Sequence, residues 1–278
     1  MAGIKVVTDS ACDLPQALVD ELAVDIVPLT IRFGGEEFVD RRDLTPDQFW
    51  SRCAASAVLP ETAAPSPGAF RAVFQKAGED GFTGVVCVSL SSALSATHQA
   101  AVKGAEDLDI PVRVIDSTSI TLGQGIMVLA GARAAAGGKS LEDVAGTVED
   151  LVPRTRVFGA LDTLEYLKKG GRIGSARALL GSVLSVKPIL RIQDGAVAEE
   201  SKQRTRGRAL AYVVDKVKAA GRIENLGVIN GAAPDLDAFL DMLGALYPRE
   251  EIVVGDIGPV IGSHCGPGTI GVTYHTAV

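Results

Sequence analysis

Short apolar runs and helix-length segments alternate along the first half of this chain, and that alternation limits the fold more than any other feature. Ile4–Thr8, Gly84–Leu90 and Val112–Asp116 have the length and β-branched content of buried strands. Helical patterns fill the intervals: from Pro15 to about Leu22, from about Thr45 to Ser56, from Ser66-Pro67 to about Ala77, Leu94–Leu108 and Leu122–Ala135. Ser66-Pro67 is a start signal with a mechanism. Serine caps free backbone N–H groups, and proline at the first helical position has none to lose. Strands joined through helices pair in parallel, and a parallel sheet needs cover on both faces. Asp25–Phe33 reads as one more strand, punctuated by Gly34-Gly35 and continued by Glu36–Val39.

The second half changes character. Arg156–Ala160 reads as a strand, Leu161–Lys169 as a helix stopped by Gly170-Gly171, and Ser175 as the cap of a helix running to about Leu184. Val186–Ile192 and Ala196–Glu199 flank Asp194-Gly195, a two-residue hairpin signal. A helix over Arg206–Ala220, a strand over Leu226–Asn230, a helix over Pro234–Leu246 and strands over Glu251–Ile257 and Gly271–Tyr274 complete the pattern. Hairpins imply a mixed or antiparallel sheet. The expectation is an α/β protein of two domains: residues 1–152, a parallel sheet flanked by helices, and residues 153–278, a mixed or antiparallel sheet with helices, divided near Val152-Pro153.

Two places gather polar chemistry. Three strands end in hydroxyls and carboxylates: Thr8-Asp9-Ser10, Ser89-Leu90-Ser91-Ser92 and Asp116-Ser117-Thr118-Ser119. Helix capping explains any one of them. Three together, at the carboxyl ends of parallel strands, put a polar crevice where open α/β sheets bind ligands. Ser10 and Ser91 are the candidate pocket residues there. The other place is Gly262-Ser263-His264-Cys265-Gly266-Pro267-Gly268. Read as a turn over Val260–Thr269, it would hold one imidazole on a backbone that another group can approach closely.

Composition narrows the function. The net charge of −7 argues against nucleic acid as a partner, since duplex binding rests on lysines and arginines neutralising phosphates. Hydrophobic residues make up 47% of the chain and aromatics only 5%, so the interior is aliphatic. Cys12, Cys53, Cys87 and Cys265 are scattered without metal-binding spacing, which suits reduced thiols in the cytoplasm and no metal site. Met1-Ala2-Gly3 leads directly into a strand rather than a signal peptide. The uncharged run Ser117–Ala132 is too short and too polar to span a bilayer. Basic residues cluster twice, as Lys168, Lys169, Arg172, Arg177 and as Lys202, Arg204, Arg206, Arg208.

Several segments in order resemble the DegV family. They are Val7-Thr8-Asp9-Ser10 with Asp13-Leu14-Pro15, Thr62 with Pro65-Ser66-Pro67-Gly68 and Phe70, Ser91-Ser92 with Leu94-Ser95-Ala96-Thr97, and Val114-Ile115-Asp116-Ser117. The most specific runs from Asp162 through Tyr166-Leu167-Lys168-Lys169-Gly170-Gly171-Arg172-Ile173 to Lys187-Pro188-Ile189-Leu190, and the His264 segment closes the series. The chain departs from the family pattern at Ala63-Ala64 and at Ala96-Thr97-His98, which keeps the hydroxyls and changes their neighbours.

The resemblance implies a two-domain α/β protein that buries a long-chain fatty acid between its domains. It implies a carrier without a catalytic site or cofactor, the acyl-carrying subunit of a bacterial fatty acid kinase whose acyl phosphate feeds phospholipid synthesis. Carried over, Thr62, Ser92 and His264 would meet the carboxylate. Gly170 and Gly171 would neighbour the pocket, while Arg172, Arg204 and Arg206 would lie outside it and dock the kinase. The competing expectation is a serine hydrolase of acyl esters using Ser and His at the inter-domain cleft, although no Gly-x-Ser-x-Gly elbow is present. A phosphate loop is not supported by the spacing of Gly170-Gly171-Arg172-Ile173-Gly174.

Overall fold

The structure, a computed structural model, describes residues 3–179 and 186–277. Strand β1 (Ile4–Asp9), a 3-10 turn, helix α1 (Gln16–Glu21) and strand β2 (Asp25–Val27) come first. A small antiparallel sheet follows, made of β3 (Thr30–Phe33), β4 (Glu36–Val39) and, after helix α2 (Pro46–Ala55), β5 (Glu61–Ala63). Then come α3 (Pro67–Glu79), β6 (Gly84–Ser89), α4 (Thr97–Gly104), β7 (Val112–Asp116), α5 (Thr121–Ala136) and α6 (Leu141–Leu151).

Strands in the order β2-β1-β6-β7 form a wholly parallel sheet. Alternation sends Val7, Val85 and Cys87 toward α3 and α4, and Val6, Val86 and Val88 toward the main core. Helix α5 lies under that face and is buried almost all round, because it packs on the parallel sheet and on the second sheet as well. The capping expectation at α3 holds, and α2 is capped in the same way: Ser66 and Thr45 accept from the third residue of each helix, with proline at the first turn.

The later residues build β8 (Thr155–Ala160), α7 (Glu165–Lys169), β9 (Lys187–Gln193), β10 (Ala196–Gln203), α8 (Arg206–Ala219), β11 (Ile223–Gly231), α9 (Leu236–Gly244), β12 (Val253–Asp256), α10 (Pro259–Cys265) and β13 (Thr269–Thr276). Their six strands form a mixed sheet in the order β10-β9-β8-β13-β11-β12, antiparallel except for β11 and β12. Asp194 and Gly195, with φ of 50° and 76°, make the β9–β10 hairpin turn. Helices α8 and α9 cover one face through Val213, Val217 and Phe239. The other face meets α5 and α10, and its Val157, Leu190 and Ile229 join Val88, Leu90 and Leu122 in one apolar cluster. Among the described residues no helix is long and apolar enough to cross a membrane.

Several sequence expectations need correction. Asp25–Phe33 is two strands in two sheets, because Pro28 has no N–H for a ladder and Leu29 N–H donates instead to Ser10 Oγ at 3.0 Å. Helix α4 begins at Thr97 rather than Leu94. Leu94 and Ser95 N–H both bond Ser91 O, and the Thr97 N–H takes Ser95 Oγ at 3.2 Å, so local hydroxyl bonding replaces the first helical turn. The helix expected from Leu161 starts at Glu165. Gly174–Leu179 is a 3-10 turn, and the remainder of the helix expected from Ser175 lies outside the described residues. Residues 260–269 are not one turn: His264 sits in helix α10, and the reversal is confined to residues 266–268. Helix α6, capped by Ser140, was not apparent in the alternation at all.

Candidate functional site

Two adjoining cavities lie between the parallel sheet's loops and the inner face of the mixed sheet. One is walled by Leu29, Leu90, Leu94, Val260 and Ile261 and carries Thr62, Ser95, Arg172 and His264. The second is almost wholly aliphatic, with Val157, Leu161, Leu190, Ile192, Ile229 and Ile257 in its walls. Ile120, Leu167, Val197, Ile261 and Cys265 line both, so the two form one apolar space with a polar end.

The polar end is built from four separate elements. Helix α10 brings His264 on its last turn. Its start is held by Asp13, whose Oδ1 accepts the Gly258 N–H at 2.9 Å. Gly262 lets α10 lie close against α2, since a Cβ there would come within 2.5 Å of the Phe49 ring. Strand β5 brings Thr62, fixed by its pairing with Ile31. Thr62 Oγ1 and His264 Nε2 are 3.0 Å apart. On the ring's other side stands Gly170, where a Cβ would collide with His264 Nδ1. The imidazole is thus pinned between a hydroxyl and a bare glycine.

Burial, and after it the charge of Arg172, push the His264 pKa down to about 4. The ring is therefore neutral at pH 7 and has a single N–H to give. Arg172 donates through Nε to Leu94 O at 3.2 Å and through Nη1 to Gly170 O at 2.7 Å. It ties the loop carrying Ser95 to the glycine behind the histidine. The expectation that Arg172 lies outside this constellation is corrected: it lines the same cavity. Arg206 grips Asp235 through two bonds of 2.8 Å and so is not a free docking group, whereas Arg204 is exposed.

The structure brings Thr62 and His264 together and leaves Ser92 apart. Ser92 is exposed, its N–H is turned to the Asp116 carboxylate, and it is not among the cavity walls; Ser95 is. The signal for Ser95 was in the sequence, within Leu94-Ser95-Ala96-Thr97. The crevice expected at the strand ends is instead a packed polar cluster. Asp9 accepts from Ala11 N–H, Leu90 N–H and Gln124 Nε2 at 3.0, 2.8 and 3.1 Å. Ser10 Oγ takes the Leu29 N–H, and Ser91 Oγ donates to Gly195 O at 2.7 Å, joining the β9–β10 hairpin to the parallel sheet. Gly171, with φ of 69°, only turns the chain after α7. Asp162 and Lys187, from the two ends of the most specific sequence segment, pair at 2.7 Å.

Hydroxyls, a neutral imidazole and a guanidinium at one end of an aliphatic space suit an anionic headgroup on a long apolar body. They suit a nucleophile–base pair poorly. Among the described residues nothing accepts from or donates to His264 Nδ1, the atom a third group would use to orient a catalytic base. Ser263 Oγ is turned to Pro259 O at 2.7 Å, and burial pushes the Cys265 thiol up to about 12.

Fold and site together define an α/β protein enclosing an aliphatic cavity with one polar end. The family model described as an uncharacterised protein of the DegV family matches residues 3–277, and the chain belongs to that family. A DegV domain-containing protein of Mycobacterium tuberculosis is 38% identical over 276 residues, covering 97% of this chain and 96% of the relative. One from Streptomyces coelicolor is 34% identical over 277 residues, covering 97% of each. A DegV family protein of Thermus thermophilus, solved and described for its fatty acid binding, superposes with a TM-score of 0.91 at 34% identity, over 99% of this chain and 100% of that one. A stearic acid-binding protein of Eubacterium ventriosum superposes with a TM-score of 0.87 at 27% identity, over 99% of each chain.

Proposed function

We propose that this protein binds one long-chain fatty acid, held between the domains 1–152 and 153–278, with its carboxylate at Thr62, Ser95 and His264 and its tail in the aliphatic cavities. The observation that carries the reading is the Thr62–His264 pair at the end of a largely apolar space. The fatty acid binding described for the similar proteins from Thermus thermophilus and Eubacterium ventriosum supports it. Each buried methylene contributes roughly 0.8 kcal/mol, so the tail supplies most of the affinity and the polar end the orientation. Arg172 adds positive charge beside the headgroup while its Nε and Nη1 donate to the Leu94 and Gly170 carbonyls.

We further propose, from the family resemblance, that the protein is a carrier that presents this carboxylate to a kinase for acyl phosphate formation. Exposed Arg204 is then the docking residue of the three arginines. The test is denaturing extraction and mass spectrometry of protein freshly purified from bacteria. A long-chain fatty acid at about one per chain is expected. Absence of lipid, together with no uptake of added palmitate or oleate, would overturn the reading.

A further inference from the structure

The sheet that walls the deep cavity has an interrupted strand ladder. Strands β8 and β9 pair only through Phe158↔Arg191, Gly159↔Leu190 and Ala160↔Ile189. Both strands continue past that ladder. Residues 155–157 pair with β13 alone, and Ile192 and Gln193 pair with β10 alone. The mixed sheet is therefore split between two of its central strands, with each lip held by its own outer neighbour. Outside the split lies a polar cleft that includes Ser117, Arg156, Glu200 and Lys216. Val157, Phe158, Arg191 and Ile192, the residues at the split, line both the cleft and the deep cavity.

Arg191 spans this place. It reaches Glu200 at 3.2 Å and Gln193 Oε1 at 2.7 Å, while its Nε is buried without a partner among the described residues. A closed sheet would carry ladder hydrogen bonds across this line. Here the separation between cavity and cleft is one layer of side chains, with Val157 and Ile192 as its apolar lips.

We propose that this split is a second port, through which the far end of an acyl chain leaves the cavity, so that Val157 and Ile192 set how the protein treats chains longer than the cavity. The proposal rests on the fatty-acid reading above. A sealed cavity must reject a chain that overfills it, because interiors are close-packed and extra methylenes force strain. A ported cavity instead lets affinity level off, because methylenes beyond the port gain no burial and meet no wall.

The experiment is competition of saturated acids from myristate to behenate for the full chain, read by native mass spectrometry. Wild type is expected to hold behenate within about threefold of stearate. Ile192→Trp, and Val157→Phe on the opposite lip, should each discriminate against behenate relative to palmitate by about tenfold or more. Rejection of behenate by wild type would overturn the port without any variant, as would plugged variants that keep palmitate and behenate alike. Retention of no acid of any length by wild type would remove the fatty-acid reading itself.

Discussion

Two polar clusters sit within a few residues of each other in this molecule and have opposite characters. At the ends of the parallel strands, Asp9 is fully buried and its carboxylate takes three donors, one of them the Gln124 amide, which also donates to Thr8 Oγ1. At the end of the cavity, Thr62 and His264 share one contact, His264 Nδ1 has no partner among the described residues, and Ser95 and Arg172 line the same space. Both clusters are made of hydroxyls and charges beside strand ends. The first spends its hydrogen-bonding capacity on its own backbone and becomes part of the scaffold. The second keeps capacity in reserve. Satisfaction of donors and acceptors, more than residue type, separates structural polarity from binding polarity.

That contrast breaks most sharply at Asp9. Asp9→Ala strands the buried backbone N–H groups of Ala11 and Leu90 and removes one of three acceptors of the Gln124 amide, and a loss of about 3–5 kcal/mol in urea denaturation is expected. A loss below about 1 kcal/mol would mean the cluster is not a structural knot. Thr62→Val, which keeps the strand's preferred shape, should leave unfolding nearly unchanged while weakening fatty acid retention by about 1.5–3 kcal/mol, the worth of a hydrogen bond to a charged acceptor. Ser92→Ala is its control, expected within about 0.5 kcal/mol in both assays. Exchange rates equal for wild type and Thr62→Val would remove Thr62 from the headgroup site.

The smallest effect is a pH slope at Asp13. Burial pushes its carboxyl up to about 7, against the nearby Thr121 hydroxyl, the Gly258 hydrogen bond and the charge of Arg41, which pull it down. Its pKa is raised on folding, so between about pH 4 and 7 the folded chain holds a proton that the unfolded chain has lost. This contribution therefore falls as pH rises through that window, by at most about 1.4 kcal/mol per pH unit. Asp13→Asn should flatten the slope by about 1 kcal/mol between about pH 5 and pH 6. His264 and His275, lowered to about 4, act with the opposite sign, but they titrate alike in both proteins and cancel in the comparison. Parallel pH profiles for variant and wild type would show that Asp13 titrates where it does in the unfolded chain.

The same contrast explains what the sequence made legible. Strands such as Gly84–Ser89 and the hairpin at Asp194-Gly195 are set by local pattern and turn chemistry, and they were readable without a structure. The His264 segment was not. Its glycines read as turn residues, yet Gly262 is helical and small because α2 packs against it, a tertiary fact. Ser92 and Ser95 look alike in sequence. Which one reaches the cavity depends on a turn in which Leu94 and Ser95 both bond to Ser91 O. Arg172 looked like one more charge in a basic run. Only the approach of two distant carbonyls, Leu94 O and Gly170 O, places it beside the histidine.

Strand β13 is the last of its sheet in chain order, yet it lies inside the sheet, between β8 and β11. During synthesis the parallel sheet and its helices can be complete while the mixed sheet is still two separate pieces. Until residues 269–276 emerge, β8 and β11 each present an open edge, the kind of surface that recruits foreign strands. Helix α10 immediately precedes β13, so the ribosome delivers the histidine and the sheet-closing strand together. The chain completes its cavity at nearly the same moment that it closes these two strand edges.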